Sequence, residues 1–391
     1  MSHRHKILHI ISSWESGVGN ELAEFAHRLA REDFENEICV LTGQNRNVPN
    51  VPTTTLGLRW SFDVSTYLGV SRLLCRFRPD IVHVWDSTAQ RYGTLHAGTH
   101  RVLAEKRESD TSSDWLQKYF DNKTYRFIAP HKIGDCPKTV IIPPAAVPVP
   151  SAKPMPPEEL LQKLGFPLVE PSGDYYPVIQ PQYDPARRNY KPMPPHSTPF
   201  LIGMVLPLES EHKILDALWA FQTLKQVNLN FHVFVIGAGK DQDMVLRYRD
   251  RWKLFSRVHF LGNRCDAARL LPCFDVLLHL SPSAEYSGTI LSAMSCGVPV
   301  IALETPESRE YVLDGTTGLL IPADGDFRFY RRTAAKKLLY LLENEELRRS
   351  MQRAAQDRAA KTFNFDAALQ RRIDVYRAVM AGTENRELCW H

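Results

Sequence analysis

VLLHLSPSAEYSGTILSAMSCGVPVIALETPESREYVLDGTTGLLI, residues 276–321, is the stretch whose reading decides the fold. It opens on an apolar run, Val276 to Leu280, short enough for a buried strand. A polar loop follows, Ser281 to Ser287, ending in Gly288 and Thr289. Ile290, Leu291, Ala293 and Met294 then give a short helical face, closed by Cys296-Gly297 because glycine tolerates a left-handed cap. Pro299 to Ala302 reads as the next buried strand, and Gly315 and Gly318 flank a tight turn into Leu319-Leu320-Ile321. Strand, loop, helix, strand is the unit of an open parallel sheet, in which ligands sit beyond the carboxyl ends of strands. Loop 281–289 lies at such an end, and amides at the start of the following helix can hold phosphate. Glu285 puts a carboxylate into that loop; its plainer role is to complement the helix dipole.

Outward from this stretch the same alternation recurs. Ile7 to Ile11 is a first strand, Ser12 to Asn20 a turn with Gly17 and Gly19, and Glu21 to Ala30 a helix with Leu22, Phe25, Ala26 and Leu29 at helical spacing. Glycines between strand and helix suit close approach of a ligand to backbone amides, although a simple tight turn needs them too. Ile38 to Leu41 is a second strand. Val64 to Phe77 is amphipathic, with Leu68, Leu73, Leu74 and Phe77 toward a core, and Ile81 to Trp85 is a third strand carrying His83. Helix 88–98 and strands at 101–107, 126–130 and 140–144 complete the first half. Prolines crowd 143–199 and forbid long helices there; only Glu158 to Leu164 reads as helical. Phe200 to Leu206, Phe231 to Ile236 and Arg257 to Gly262 are strands of a second half, with Gly237-Ala238-Gly239 closing the middle one. From Tyr330 to Met380 the chain is largely helical and rich in arginine.

Composition narrows the function classes. A chain of 391 residues exceeds the usual size of one core, so two domains are expected. Lysine plus arginine number 48 against 44 acids, and a net charge of +4 is too mild to argue for nucleic acid. Seven dispersed cysteines without metal-like spacing point to a reducing cytoplasm and no metal centre. No apolar run approaches a membrane span. The basic helices of 330–380 admit peripheral contact with an anionic membrane, against the plainer reading of a solvated face with interspersed acids.

The 276–321 stretch resembles the donor-site signature of glycosyltransferase family 4. Ser281, Ser283, Glu285, Gly288, Thr289, Ala293-Met294, Gly297-Val298-Pro299-Val300, Glu310 and Asp314 to Gly318 match it in order. Elsewhere Gly17 and Gly19 resemble the family's N-terminal glycine-rich loop, Pro79 to His83 its Pro-Asp-strand-His motif, Lys213 its phosphate-facing lysine, and Gly237 and Gly239 its turn near the base. The resemblance implies an α/β chain of GT-B fold, two Rossmann-like parallel-sheet domains facing a cleft. The expected division is 1–145 for the acceptor domain, 146–199 for a linker with an insertion, 200–365 for the donor domain, and 366–391 for a crossover helix and tail. It implies a retaining transferase of polysaccharide-biosynthesis type, moving a sugar from a nucleotide-sugar to a glycan or lipid-linked acceptor. The nucleotide-sugar is a co-substrate, and no cofactor or metal is expected. Lys213 with Ser287, Gly288, Thr289, Gly17 and Gly19 would hold donor phosphate, Glu285 the sugar hydroxyls, and Gly237, Gly239 and Ser292 the nucleotide.

Four places depart from the pattern. Aligned on Ala293-Met294, the first glutamate falls on Ala284 with Glu285 one place late, and the second falls on Ser292. The arginine that accompanies the lysine falls on Pro207. Lys106, Arg107 and Glu108 stand where members carry an acceptor-side histidine, so no catalytic residue is assigned. These losses favour an alternative, a catalytically impaired GT-B protein acting as a nucleotide- or sugar-binding protein or as a scaffold. The sequence assigns no oligomeric state.

Overall fold

The computed structural model describes residues 4–14, 18–43, 46–58, 63–94, 101–105, 124, 126–129, 139–142, 145–148, 156–164, 199–227, 230–264, 267–283 and 286–381. Contacts divide the chain into two compact units. The first is Met1–Val147 with Ser283–Gly288 and Lys361–His391; the second is Pro148–Pro282 with Thr289–Ala360.

The first unit runs β1 (His5–Ile11), α1 (Gly19–Leu29), β2 (Phe34–Val40), β3 (Thr53–Thr55), α2 (Val64–Phe77), β4 (Ile81–Val84), α3 (Ser87–Thr94), β5 (Arg101–Glu105), β6 (Arg126–Ala129) and β7 (Thr139–Ile141). The strands form a sheet in the order β3-β2-β1-β4-β5-β6-β7, and every pair is parallel. The chain builds outward from β1 in one direction, then returns to build from β4 in the other. The carboxyl ends of β1 and β4 therefore flank the point where strand order reverses.

Apolar periodicity explains the packing. In α1 the buried residues are Leu22, Ala23, Phe25, Ala26 and Leu29, one face of a 3.6-residue period. In α2 the buried face is Thr66, Val70, Leu73, Leu74 and Phe77. Leu68, expected in the core, is 47% exposed, because the Thr66–Val70–Leu73–Phe77 stripe turns it outward. Asp63 caps this helix by accepting from Ser65 N–H at 2.8 Å.

The second unit opens with α4 (Pro157–Lys163) and continues β8 (Phe200–Val205), a 3₁₀ turn at Ser210–His212, α5 (Ile214–Gln226), β9 (Phe231–Ile236), α6 (Gln242–Arg251), β10 (Val258–Gly262) and α7 (Ala267–Leu270). Then come β11 (Val276–His279), α8 (Gly288–Ser295), β12 (Val300–Leu303), α9 (Pro306–Tyr311), β13 (Gly318–Ile321), α10 (Phe327–Glu343) and α11 (Glu345–Thr362). Its sheet has the order β10-β9-β8-β11-β12-β13, again parallel throughout. All six residues of β9, Phe-His-Val-Phe-Val-Ile, are buried, as expected of a strand covered on both faces. The reversal point here lies between β8 and β11. Gly297, at φ +72°, ends α8 in the left-handed conformation its sequence implies.

The last helix, α12 (Phe365–Ala381), belongs to the first unit. Its Phe365, Ala368, Ile373, Val375, Tyr376 and Val379 join the cluster of Ile7, Phe25, Trp85 and Leu103. No helix among the described residues is long and apolar enough to cross a membrane.

Candidate functional site

The reversal point of the second sheet gathers three turns. The first leaves β8 at Leu206 and runs through Pro207, Leu208 and Glu209 into the Ser210–His212 turn and Lys213. The second is Gly237-Ala238-Gly239 at the end of β9. The third begins at Ser281, two residues beyond β11.

The first two turns are stitched together. Leu208 N–H donates to Ala238 O at 3.2 Å, Asp241 N–H to Leu208 O at 3.0 Å, and Ser210 N–H to Asp241 Oδ2 at 2.7 Å. Backbone proximity explains the glycines. A Cβ on Gly237, which sits at φ +140°, would lie 2.0 Å from Leu206 O, and one on Gly239 would lie 2.6 Å from Leu208 O. The third turn is tied to the first by a side-chain bond: His212 Nδ1 and Ser281 Oγ are 2.8 Å apart, and both residues are buried. Burial holds the His212 imidazole below its usual pKa, against the opposing pull of Glu211 and Glu209. Proton sharing with Ser281 therefore involves a neutral ring at pH 7.

Lys213 follows His212 in a left-handed backbone, φ 55° and ψ 29°, at the entrance to α5. Its Nζ lies 4.2 Å from the centre of the Tyr330 ring on α10. Pro207 has no charge to add, but the neighbouring Lys240 ammonium holds Glu209 Oε2 at 2.9 Å. That contact keeps the Glu209 carboxyl below the usual carboxylate range. Glu209, Glu211 and His212 place ligand atoms within 4.8 Å of one another, the metal-ligand grouping found among the described residues. The sequence reading expects no metal. Lys240 already occupies one of these carboxylates.

After Ser281, Ser287 is buried, Gly288 opens α8 and Thr289 follows half-exposed. Ala284 and Glu285 lie outside the described residues, as do Gly17 and the 106–108 segment. Ser292 is half-buried within α8, where its carbonyl accepts from Ser295 Oγ at 2.8 Å and Cys296 N–H at 3.3 Å. Ile290, Leu291, Ala293 and Met294 anchor the helix in the second unit.

In the first unit, Ser12 N–H donates to Asp86 Oδ2 at 2.7 Å across the reversal point, and Ala89 N–H donates to Asp86 Oδ1 at 2.8 Å. Burial raises the Asp86 pKa, and these amides oppose that rise only in part. Gly19 starts α1 where a Cβ would stand 2.3 Å from Trp14 O, so close chain approach requires glycine there. Arg46 Nη1 donates to Asn20 Oδ1 at 2.8 Å.

Beside this turn lies a buried polar chain. His83 Nδ1 is 2.6 Å from Tyr376 Oη, and its Nε2 is 3.3 Å from Glu105 Oε1. Arg372 donates from Nε to Glu105 Oε1 at 3.2 Å and from Nη2 to Glu21 Oε1 at 2.7 Å. Burial lowers the His83 pKa. Burial would raise that of Glu105, but Arg372 and His83 outweigh it and hold the carboxylate ionised. His83 is therefore a hydrogen-bonded core residue, with carboxylate, imidazole and phenol in line. His9 accepts from Trp85 Nε1–H at 3.2 Å alongside.

Sequence reasoning overlooked His212, Asp86, Tyr330 and Arg372. One signal existed: Arg372 falls on the apolar stripe of its helix, between Ala368 and Tyr376. A charge at a core position implies a buried partner.

Residues 199–344 match the family model of glycosyl transferases group 1. N-acetyl-alpha-D-glucosaminyl L-malate synthase of Bacillus anthracis is 26% identical over 176 residues, 45% of this chain and 45% of that enzyme. Trehalose synthase of Pyrococcus horikoshii is 29% identical over 105 residues, 27% of this chain and 24% of that enzyme. The matches thus span less than half the length of either curated relative. Among solved structures, Anabaena HepE in complex with UDP and glucose superposes with a TM-score of 0.71 at 17% identity, covering 96% of this chain and all of that one. That likeness shows the fold, which is GT-B.

Proposed function

We propose, from the premise that residues 199–344 are a group 1 glycosyl transferase segment carried on a GT-B fold, that this protein moves a sugar from a nucleotide-sugar to a glycan or lipid-linked acceptor with retention. The observation that carries the reading is the coincidence of that match with the reversal point of the second sheet. There the 206–213 turn, the Gly237–Gly239 turn and Ser281 are hydrogen-bonded together. A crevice of this kind is where open α/β sheets take their ligands.

In this reading Lys213 and the amides of 286–290 neutralise the leaving diphosphate, with Ser287, Gly288 and Thr289 on the phosphates. Glu285 takes the sugar hydroxyls. Gly237, Gly239 and Ser292 border the nucleotide. Fixed N–H groups and an ammonium supply the charge stabilisation that a metal would otherwise give. The nucleotide-sugar is consumed as co-substrate, and no cofactor is required. We assign a cytoplasmic setting, with the basic helices toward a membrane surface when the acceptor is lipid-linked.

The test is a thermal-shift panel of UDP-, GDP- and ADP-sugars with free nucleotides, followed by donor hydrolysis and transfer. One nucleotide series should raise the melting temperature by mass action, and its sugar should be released or transferred. No shift with any of them overturns the reading. Ser292 and Pro207, neutral where the family is charged, favour a second reading, binding without turnover. That reading wins if nucleotide binds and neither hydrolysis nor transfer follows.

A further inference from the structure

Cations near the donor turn of the second unit are mostly spoken for. Lys240 is bound to Glu209 at 2.9 Å, and Arg331 to Asp216 at 2.7 Å. Lys213 differs. Among the described residues its ammonium has no carboxylate partner, and its recorded contact is the face of Tyr330, 4.2 Å from the ring centre. That ring is itself fixed. Tyr330 is 6% exposed, and its hydroxyl donates to Ala323 O at 2.5 Å. The Asp216–Arg331 pair pins the first turn of α5 to α10 immediately beside it.

A lysine side chain is a flexible stem with a compact charge, and ordering it for a ligand costs conformational entropy. An aromatic face attracts the ammonium without neutralising it, because the ring offers a quadrupole and no net charge. A carboxylate in the same place would have to be displaced before phosphate could bind. The left-handed backbone of Lys213 adds a second restraint, since non-glycine residues hold that conformation only where their surroundings enforce it.

We propose that Tyr330 is the positioning residue for Lys213. Its ring parks the ammonium for the diphosphate of a nucleotide-sugar. This rests on the donor-site reading given under Proposed function. It adds a residue from α10, outside the loops that carry the motif.

The experiment titrates wild type, Lys213→Ala, Tyr330→Phe, Tyr330→Leu and the Lys213→Ala/Tyr330→Leu double variant by calorimetry. The probes are UDP, GDP and ADP, each beside its nucleoside, and melting temperatures are recorded for every protein. Tyr330→Leu should weaken the preferred nucleoside diphosphate by roughly two- to fivefold and leave the nucleoside unchanged. Tyr330→Phe keeps the ring and loses only the Ala323 bond, so it should bind closer to wild type than Tyr330→Leu does. In the Lys213→Ala background Tyr330→Leu should have no further effect, because the two residues act as one element. Equal weakening of nucleotide and nucleoside, or additive losses in the double variant, overturns the inference while the donor site stands. An unchanged affinity in Lys213→Ala alone overturns the donor-site assignment and this inference with it. If Tyr330→Leu melts well below the others, Tyr330→Met replaces it in the same cycle.

Discussion

His212 Nδ1 and Ser281 Oγ meet at 2.8 Å across 69 residues of sequence, at the place where the second sheet reverses its strand order. The first sheet has a counterpart in Ser12 N–H to Asp86 Oδ2, 2.7 Å across 74 residues. Each unit thus ties its two central loops by a hydrogen bond, part-buried in the first and buried in the second. Open α/β sheets bind ligands at this location, so these bonds fix the backbone a ligand would meet.

Ser281→Ala removes the partner of a buried imidazole nitrogen. The expected loss is about 1–3 kcal/mol, the desolvation penalty of an unpaired buried group. Urea unfolding should show a lower midpoint at unchanged slope. An unchanged midpoint would mean that the bond adds nothing to stability.

Lys213→Gly should separate stability from binding. At φ +55° a lysine is strained by about 1–2 kcal/mol relative to a residue without Cβ. The glycine variant should therefore melt higher without ligand. It should also bind the preferred nucleoside diphosphate more weakly, by about 1.5–3 kcal/mol for one charge-assisted contact. Lower melting together with intact binding would contradict both parts.

Arg372→Met leaves the part-buried Glu105 and Glu21 without the guanidinium that bridges them. Breaking one side of a buried ion pair costs about 3–5 kcal/mol. Adding Glu105→Gln and Glu21→Gln should restore much of it, since an uncharged set has nothing left uncompensated. Chemical denaturation of the single and triple variants compares them directly, and an equal loss in both would show that packing, not charge, dominates.

Acid should weaken the fold before its carboxylates titrate. Burial pushes the His279 pKa down to about 4, and His232 and His259 likewise to about 4. An unfolded histidine takes a proton near pH 6.5, so between there and about 4 the unfolded chain binds more protons than the folded one. Stability is then full above pH 6.5 and falls as pH drops toward 4. His279 alone accounts for up to about 3 kcal/mol, from 1.36 kcal/mol per pKa unit. Unfolding free energy measured at pH 7.5 and 5 should show the slope, and His279→Leu should reduce it. An identical slope in that variant would remove His279 from the account.

Glu285→Gln keeps size and removes charge. If Glu285 faces the sugar, the variant should lose transfer and donor hydrolysis while still binding free nucleotide. Ser292→Glu should tighten a ribonucleotide more than its 2′-deoxy form, because a carboxylate accepts two hydrogen bonds where serine offers one hydroxyl. Full turnover in the first variant, or equal effects in the second, would reject the alignment behind them.

Legibility in the sequence followed the physics of burial. Val276 to Leu280 and Phe231 to Ile236 announced central strands because both faces are covered and every residue is apolar or nearly so. Gly297 announced a left-handed cap that its φ of +72° bears out. Leu68 misled, since leucine fits either face of a short helix and only the Thr66–Val70–Leu73–Phe77 stripe decides which is inward. The site was harder to see. His212 sits beside Lys213 in sequence, yet its bond to Ser281 depends on two strands becoming neighbours. Tyr330 meets Lys213 from a helix that starts more than a hundred residues later, and no local period encodes that contact.

The placement of α12 bears on how the protein is made. Ile7, Phe25, Trp85 and Leu103 share their cluster with Ile373, Tyr376 and Val379, and Arg372 and Tyr376 complete the chain of bonds through Glu21, Glu105 and His83. A ribosome delivers the first unit's sheet long before it delivers that helix. Through the whole synthesis of residues 148–360 the nascent first unit carries an uncovered apolar face and an uncompensated pair of carboxylates, whereas the second unit can close its core as it emerges. Emergence of α12, rather than emergence of the first sheet, is therefore the step that seals the first unit, and the interval before it is when a chaperone would be needed.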